Sequence, residues 1–300
     1  MRLKDYTYSN SQMLAIARLF SASVVRDFSR DGRSALFTRL ATEANLFRLY
    51  AENEPISELF ENAYSVLKRK NNRHEYVYKS AITHKVLLGK HSLNTASMVN
   101  EFRVGECKAD TVILNGTGAV YEIKSERDTL SRLTKQITVY REVFAKVNVI
   151  TGENHLDSVH SCVPDDVGIM VLSDRHRIST IREAIDQPER TNPVVIFESI
   201  QLREAKALLK LLKIQIPDLP NTKMHSELRE IFSRLDPVET HMAMVTILKK
   251  TRSLVSLSHA VGTVPDSLLS AVFSTKVRKS DFKNIIKAVK TPIEEAIRWN

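Results

Sequence analysis

Cysteine is nearly absent: Cys107 and Cys162 are the only two in 300 residues. Two cysteines cannot build a disulfide framework or a four-cysteine zinc site. They fit two ordinary thiols in a reducing cytoplasm, and a cytoplasmic location is expected. No run of about 18 apolar residues occurs, so no transmembrane helix is expected. The opening Met1-Arg2-Leu3-Lys4-Asp5-Tyr6 has charges but no apolar stretch and no small-residue cleavage site, so no secretory signal is expected. Glycine is scarce as well. Five of the eight (Gly105, Gly116, Gly118, Gly152, Gly168) fall in the middle of the chain. Tight turns therefore concentrate there, and the flanks read as helical. What remains is ordinary: 43% apolar and 26% charged residues exclude disorder over most of the length. At roughly 100–200 residues per domain, the length allows one large domain or two of usual size.

Charge is unevenly placed. Residues 1–100 carry 15 Lys+Arg against 9 Asp+Glu, residues 101–200 carry 12 against 16, and residues 201–300 carry 17 against 10. An acidic middle between basic wings fits a cation site flanked by surfaces that attract a polyanion, nucleic acid being the commonest. Lysine-rich helix faces that are merely solvated give the same balance. Two clusters are candidate phosphate contacts: Lys68, Arg69, Lys70 and Arg73 in the first wing, and Lys276, Arg278, Lys279 and Lys283 in the second.

The apolar spacing divides the chain into a helical N-terminal region (1–91), a mixed core (92–198) and a helical C-terminal region (199–300). In the first, Ser9 or Ser11 can cap a run through Met13, Ile16 and Leu19. Pro55 suits a first helical turn, and a run from Tyr76 stops at Gly89. Ser92 can cap a fourth helix reaching Glu101. The period then changes. Cys107–Leu114 and Ala119–Ile123 read as strands joined by Asn115-Gly116-Thr117-Gly118. Asp128 can cap a long helix with Leu130, Leu133, Ile137 and Phe144 on one stripe. Val147–Thr151 and Val167–Leu172 read as further strands, with a short helix around Leu156 and Val159 between them. The expected class is α/β, a mixed sheet with helices on its faces. Leu202–Leu212 and a helix opened by Asp236-Pro237-Val238-Glu239 follow.

The sharpest signal is Asp110 followed by Glu122-Ile123-Lys124. Period-two geometry places Glu122 and Lys124 on one face of a strand and Ile123 on the other. A three-residue loop sets Asp110 on the face of Glu122 and Lys124, and a two- or four-residue loop sets it opposite Ile123. The glycines suit the three-residue loop, and a bulge in either strand can also restore the parity. Adjacent carboxylates repel, and a hard cation relieves that. A cross-strand salt bridge on a solvated sheet is the bland alternative. Glu101 lies nine residues before Asp110, with Glu106 as the weaker substitute. Gln136 and Tyr140 share a helix face at i and i+4, and Arg132 lies on that face, four residues after Asp128. An Asp128–Arg132 surface pair ranks ahead of a phosphate contact for Arg132. His155, His160 and His176 have no cysteine pair at zinc spacing, and Asp165-Asp166 after Pro164 reads as a turn.

Glu101, Asp110 and Glu122-Ile123-Lys124 resemble the motif of the PD-(D/E)xK nuclease superfamily, which has the restriction-endonuclease-like fold. Gln136-Ile137-Thr138-Val139-Tyr140 is similar to the Gln-x-x-x-Tyr motif of its RecB-like exonuclease branch. The longer run from Glu122 to Tyr140 also resembles a group of poorly characterised bacterial proteins of the superfamily. The resemblance covers about residues 95–175, and Ala109 stands where the family has its proline. It implies a restriction-endonuclease-like core in which Asp110, Glu122 and the Ile123 carbonyl bind Mg²⁺ or Mn²⁺, with Glu101 binding directly or through water. Lys124 would be the catalytic lysine, and Gln136 and Tyr140 would hold it or the substrate phosphate. The implied activity is phosphodiester hydrolysis, DNA being favoured over RNA, with bacterial defence or DNA repair as the typical setting. A catalytically inactive nucleic-acid-binding or protein-interaction module is the alternative. The helical regions are expected to grip the nucleic acid, form a homodimer or dock a partner protein. Loss of Lys124 or Asp110 is expected to abolish cleavage with little loss of fold.

Overall fold

The computed structural model describes residues 7–275 and 277–300, so the opening Met1–Tyr6 and the candidate phosphate contact Lys276 lie outside the described residues. The chain forms two compact units. One gathers the described residues within Met1–His84 together with Ser125–Arg127 and Val255–Asn300. The other holds Lys85–Lys124 and Asp128–Leu254.

The first unit is helical. Ser9 is the cap of its first helix, Asn10–Leu19: its hydroxyl accepts from the Gln12 N–H while the Gln12 carboxamide accepts from the Ser9 N–H. Pro55 stands just ahead of the helix Ile56–Leu67 as its cap residue, not inside the first turn. The helix Ala22–Asp31 ends at Gly32, whose φ of +67° is a left-handed conformation that glycine adopts without strain. Phe28, Phe37 and Trp299 pack with ring centroids 5.8–5.9 Å apart, tying the C-terminal end of the chain to the N-terminal helices.

The second unit is built on a six-stranded sheet whose spatial order follows the sequence. The strands are β1 (Ser97–Val104), β2 (Cys107–Asn115), β3 (Thr117–Lys124), β4 (Lys146–Thr151), β5 (Gly168–Leu172) and β6 (Ile178–Arg182). β1, β2 and β3 run antiparallel, β3, β4 and β5 parallel, and β6 returns antiparallel to β5. The parallel crossovers carry the helices Leu133–Arg141 and Leu156–Cys162, so the sheet is mixed and the class α/β.

Three elements depart from the sequence reading. Ser97 to Glu101 is not the end of a helix capped by Ser92. It belongs to β1, which pairs with β2 from Ser97↔Leu114 to Val104↔Cys107. Non-local pairing and the burial of Phe102 and Val104 override the local cap signal. The helix expected from Asp128 begins at Leu133, with Arg132 as its cap residue, and ends at Arg141. The edge strand β6 has no counterpart in the sequence reading, because its middle residues are exposed and polar positions break its apolar pattern.

Helices from Leu202–Leu211, Asn221–Phe232 and Pro237–Thr251 close over one face of the sheet. Leu208, Leu209, Leu228, Phe232, Met244 and Leu248 join Val112, Leu114, Val120, Val147 and Val149 in one core. Asp236 caps the last helix by accepting from the Glu239 N–H at 2.9 Å. A Cβ added at Gly118 would lie 3.0 Å from His241 Nε2, so glycine lets this helix approach β3 closely. Between the helices, buried Glu204 accepts from Arg252 Nε and Nη2 at 3.0 and 2.8 Å. No helix among the described residues is long and apolar enough to cross a membrane.

Candidate active site on the third strand

The β2–β3 connection sets the geometry. Asn115 pairs with Thr117 around Gly116, whose φ is +71°. The register runs through Leu114↔Gly118 to Thr111↔Tyr121. Asp110 and Glu122 follow immediately beyond the last of these pairs. Asp110 is anchored there by the Ile123 N–H, which donates to its Oδ2 at 2.8 Å.

Glu122 and Lys124 face the helix Leu133–Arg141, on the side of the sheet that carries Val120. Both are buried, at 2% and 5% exposure. That degree of burial separates them from a solvated cross-strand pair, which would keep its charges in water. Lys124 Nζ donates to Glu122 Oε1 and to Gln136 Oε1, both at 2.9 Å. Gln136 Nε2 donates to Glu122 Oε1 at 2.5 Å, and Tyr140 Oη donates to Glu122 Oε2 at 3.0 Å. Gln136 and Tyr140 reach the same carboxylate because they stand one helical turn apart. The main chain holds the end of β3: the Thr151 hydroxyl donates to the Lys124 carbonyl at 2.8 Å. Thr151 had no sequence signal, since its role depends on the parallel pairing Lys124↔Thr151.

Burial holds the Glu122 carboxyl above the usual carboxylate range, against the opposing pull of Lys124, Tyr140 and Gln136. Burial, followed by the charges of Glu122 and Asp110, pushes the Tyr140 phenol far up, so it stays a donor at every working pH. Glu122 is thus a desolvated carboxylate kept in place by one cation and two neutral donors.

Glu101 is not part of this cluster. Its carboxylate is ion-paired with Lys108, its side chain is exposed, and its φ is +59°. Glu106 is exposed and pairs with Lys135 at 3.0 Å. Among the described residues no group of three or more His, Cys, Asp or Glu is placed to hold a metal ion. The donor set that remains, Asp110 and Glu122, fits a hard cation of the Mg²⁺ kind, which is commonly held by one or two carboxylates while keeping water and substrate oxygens as its other ligands.

The candidate phosphate contacts divide. Arg73 is not a surface cation. It is 1% exposed, its Nη1 lies 3.1 Å from Glu126 Oε1, and its Nε donates to the Lys68 carbonyl. Tyr78 Oη donates to the second Glu126 oxygen at 2.9 Å. Lys68 lies over the Tyr64 ring at 5.2 Å, Arg69 is half-buried and Lys70 is exposed. Arg132, Arg278 and Lys279 are exposed.

The sheet and this cluster define a mixed α/β protein with a buried acid, lysine, amide and phenol gathered on its third strand. The chain belongs to the bacteriophage P4 protein cII family, whose model matches residues 68–286 and so spans the whole cluster. Protein cII of Enterobacteria phage P4 is 28% identical over 170 residues, which are 54% of this chain and 62% of protein cII. The match therefore spans less than two thirds of that relative. A solved protein of unknown function from Silicibacter pomeroyi is similar over 40% of this chain and 81% of its own, with 20% identity and a TM-score of 0.28.

Proposed function

We propose that this chain is a metal-dependent nuclease of the restriction-endonuclease-like fold that hydrolyses phosphodiester bonds, with DNA favoured over RNA. The observation that carries this reading is the buried Glu122–Lys124–Gln136–Tyr140 network with Asp110 beside it, held by the Ile123 N–H. Burying a lysine and a carboxylate together is costly, and a fold gains little stability from it that apolar residues would not supply. A catalytic task accounts for the expense.

Asp110 and Glu122, with the Ile123 carbonyl, would hold Mg²⁺ or Mn²⁺. When bound, the ion supplies charge neutralisation and a more acidic water. The chain's own residues do the rest. Gln136 Oε1 and Glu122 Oε1 fix the Lys124 ammonium, which is then aimed to stabilise negative charge growing on a phosphoryl oxygen. Tyr140 fixes the second Glu122 oxygen and keeps that carboxylate from rotating. The basic regions would grip the backbone, and genome defence or DNA repair is the setting this chemistry suits.

A second reading has its own support. All three donors on Glu122 come from protein, and Glu101 points to Lys108. A non-catalytic binding module could keep such a network for packing alone. The deciding experiment incubates the purified chain with linear, nicked, circular and single-stranded DNA and with RNA, with Mg²⁺, with Mn²⁺ and with EDTA. Metal-dependent cleavage that Glu122→Gln abolishes supports the nuclease. Binding without cleavage under every condition supports the module.

A further inference from the structure

We propose that the helical unit holds a phosphate-binding site in the cavity between Gly32 and Trp299. This inference stands apart from the nuclease reading, since every lining residue belongs to that one unit. The cavity is open, about 600 Å³ in volume, and lined by Asp31, Gly32, Arg33, Lys287, Glu295, Arg298 and Trp299. That volume lies within the range of small-ligand sites.

The charges argue for an anion. Among the described residues, Arg33, Lys287 and Arg298 make no ion pair and no side-chain hydrogen bond. Of the two lining carboxylates, Asp31 is already paired with Arg30, at 2.8 Å. Asp31 also attracts Arg33 through its charge, so the lining sets three cations against Glu295 and a carboxylate shared with Arg30. A structural use for those cations would be to cap the carbonyls that end the helix Ala22–Asp31. That work is done by another residue: Asn284 Nδ2 donates to the Ser29 and Arg30 carbonyls at 2.9 and 3.3 Å, and the Gly32 N–H donates to Phe28 O. None of the three cations is therefore needed to cap that helix, and all three line the cavity.

A Cβ at Gly32 would meet the Lys287 Cδ at 3.7 Å, so the lysine stem packs beside the glycine. Trp299 is braced against Phe28 and Phe37 and gives the cavity a rigid wall. Two arginines and a lysine suit phosphate oxygens, arginine through its planar fork. The phosphate can come from a nucleic-acid backbone or from a free nucleotide, and the experiment separates them.

Trp299 is the single tryptophan of the chain, so its emission reports on this cavity. Wild type is titrated with inorganic pyrophosphate, with ATP, and with single-stranded and duplex oligonucleotides. The same titrations are run on Arg33→Gln/Arg298→Gln, which alters exposed side chains, with circular dichroism to check its fold. A saturable emission change that weakens at least tenfold in the double variant is the expected result. Response to ATP or pyrophosphate alone assigns a free nucleotide. Response to oligonucleotides, with a salt slope that flattens by about 0.9 for each duplex phosphate the variant no longer neutralises, assigns a strand. Silence of wild type toward every probe overturns the proposal. So does binding that the folded double variant retains unchanged.

Discussion

Replacing Lys124 with Met tests the energetic reading of the cluster. The sequence alone expects loss of Lys124 to leave the fold nearly intact. The structure reverses that expectation, because Lys124 is buried and its Nζ lies 2.9 Å from a Glu122 carboxylate that is itself 2% exposed. Removing one partner of a buried ion pair costs about 3–5 kcal/mol, since the other charge is left in a poor dielectric. Gln136 and Tyr140 still donate to Glu122, which places the cost toward the lower end, about 3 kcal/mol near pH 8. The cost depends on pH with a definite sign. The folded-state pKa of Glu122 is already raised, and losing Lys124 raises it further. Above the ordinary carboxylate value the folded state then holds a proton that the unfolded chain has released. Stability is therefore retained at low pH and lost as pH rises through the folded pKa. Urea unfolding of Lys124→Met at pH 5 and pH 8 should show a deficit that grows with pH. Adding Glu122→Gln should recover most of it. A deficit below about 1 kcal/mol at pH 8, or one that is the same at both pH values, would refute the reasoning.

The other predictions address the remaining groups. Asp110→Ala and Glu122→Gln should each lower metal-dependent cleavage by more than about a thousandfold while circular dichroism stays unchanged; activity within tenfold of wild type shows the cluster is not catalytic. Arg73→Ala should destabilise the protein by about 3 kcal/mol by removing the cation beside Glu126, and leave the salt dependence of DNA binding as it was; a flattened salt slope would restore it as a phosphate contact. His241 is buried, and desolvation lowers its pKa to about 4. Its stabilising contribution is complete above the unfolded value near 6.5 and is lost as pH falls toward 4, by roughly 3 kcal/mol in total. His241→Gln should flatten the urea-stability profile between those values, and an unchanged profile would assign the acid sensitivity elsewhere.

The sheet's middle was readable because its signals are local. Gly116 and Gly118 marked the β2–β3 turn, and the apolar runs of β4 and β5 marked buried parallel strands. The two strands at the edges were not. β1 carries Asn100, Glu101 and Arg103 among its apolar residues, and a serine ahead of it mimics a helix cap. β6 is mostly exposed, so selection for burial left little pattern on it. The division of the last hundred residues was equally hidden. Residues up to Leu254 join the sheet unit and those from Val255 join the N-terminal helices. Contacts between segments some two hundred residues apart leave no local mark, and both segments are similarly rich in lysine.

In the cluster itself, what the sequence could reach depended on parity. Glu122 and Lys124 share a face whatever the fold does, because strands alternate. Asp110 joins them through an odd-numbered loop or a bulge, and the turn at Gly116, with its positive φ, is the odd-numbered loop. Gln136 and Tyr140 were readable as a pair through helical spacing, but their target was not. Their common carboxylate is set by how the helix Leu133–Arg141 lies across β3. Glu101 shows the limit from the other side. Its spacing from Asp110 matched the expected pattern, yet a strand position with Lys108 as a close neighbour gives its carboxylate a partner elsewhere. Spacing along the chain therefore located the acids, and only the pairing of strands decides which of them meet. That places the chemical question on Asp110 and Glu122: Glu101→Ala should leave cleavage within tenfold of wild type where Glu122→Gln abolishes it. A loss of activity in Glu101→Ala as deep as in Glu122→Gln would show that the exposed carboxylate leaves Lys108 to act in the site.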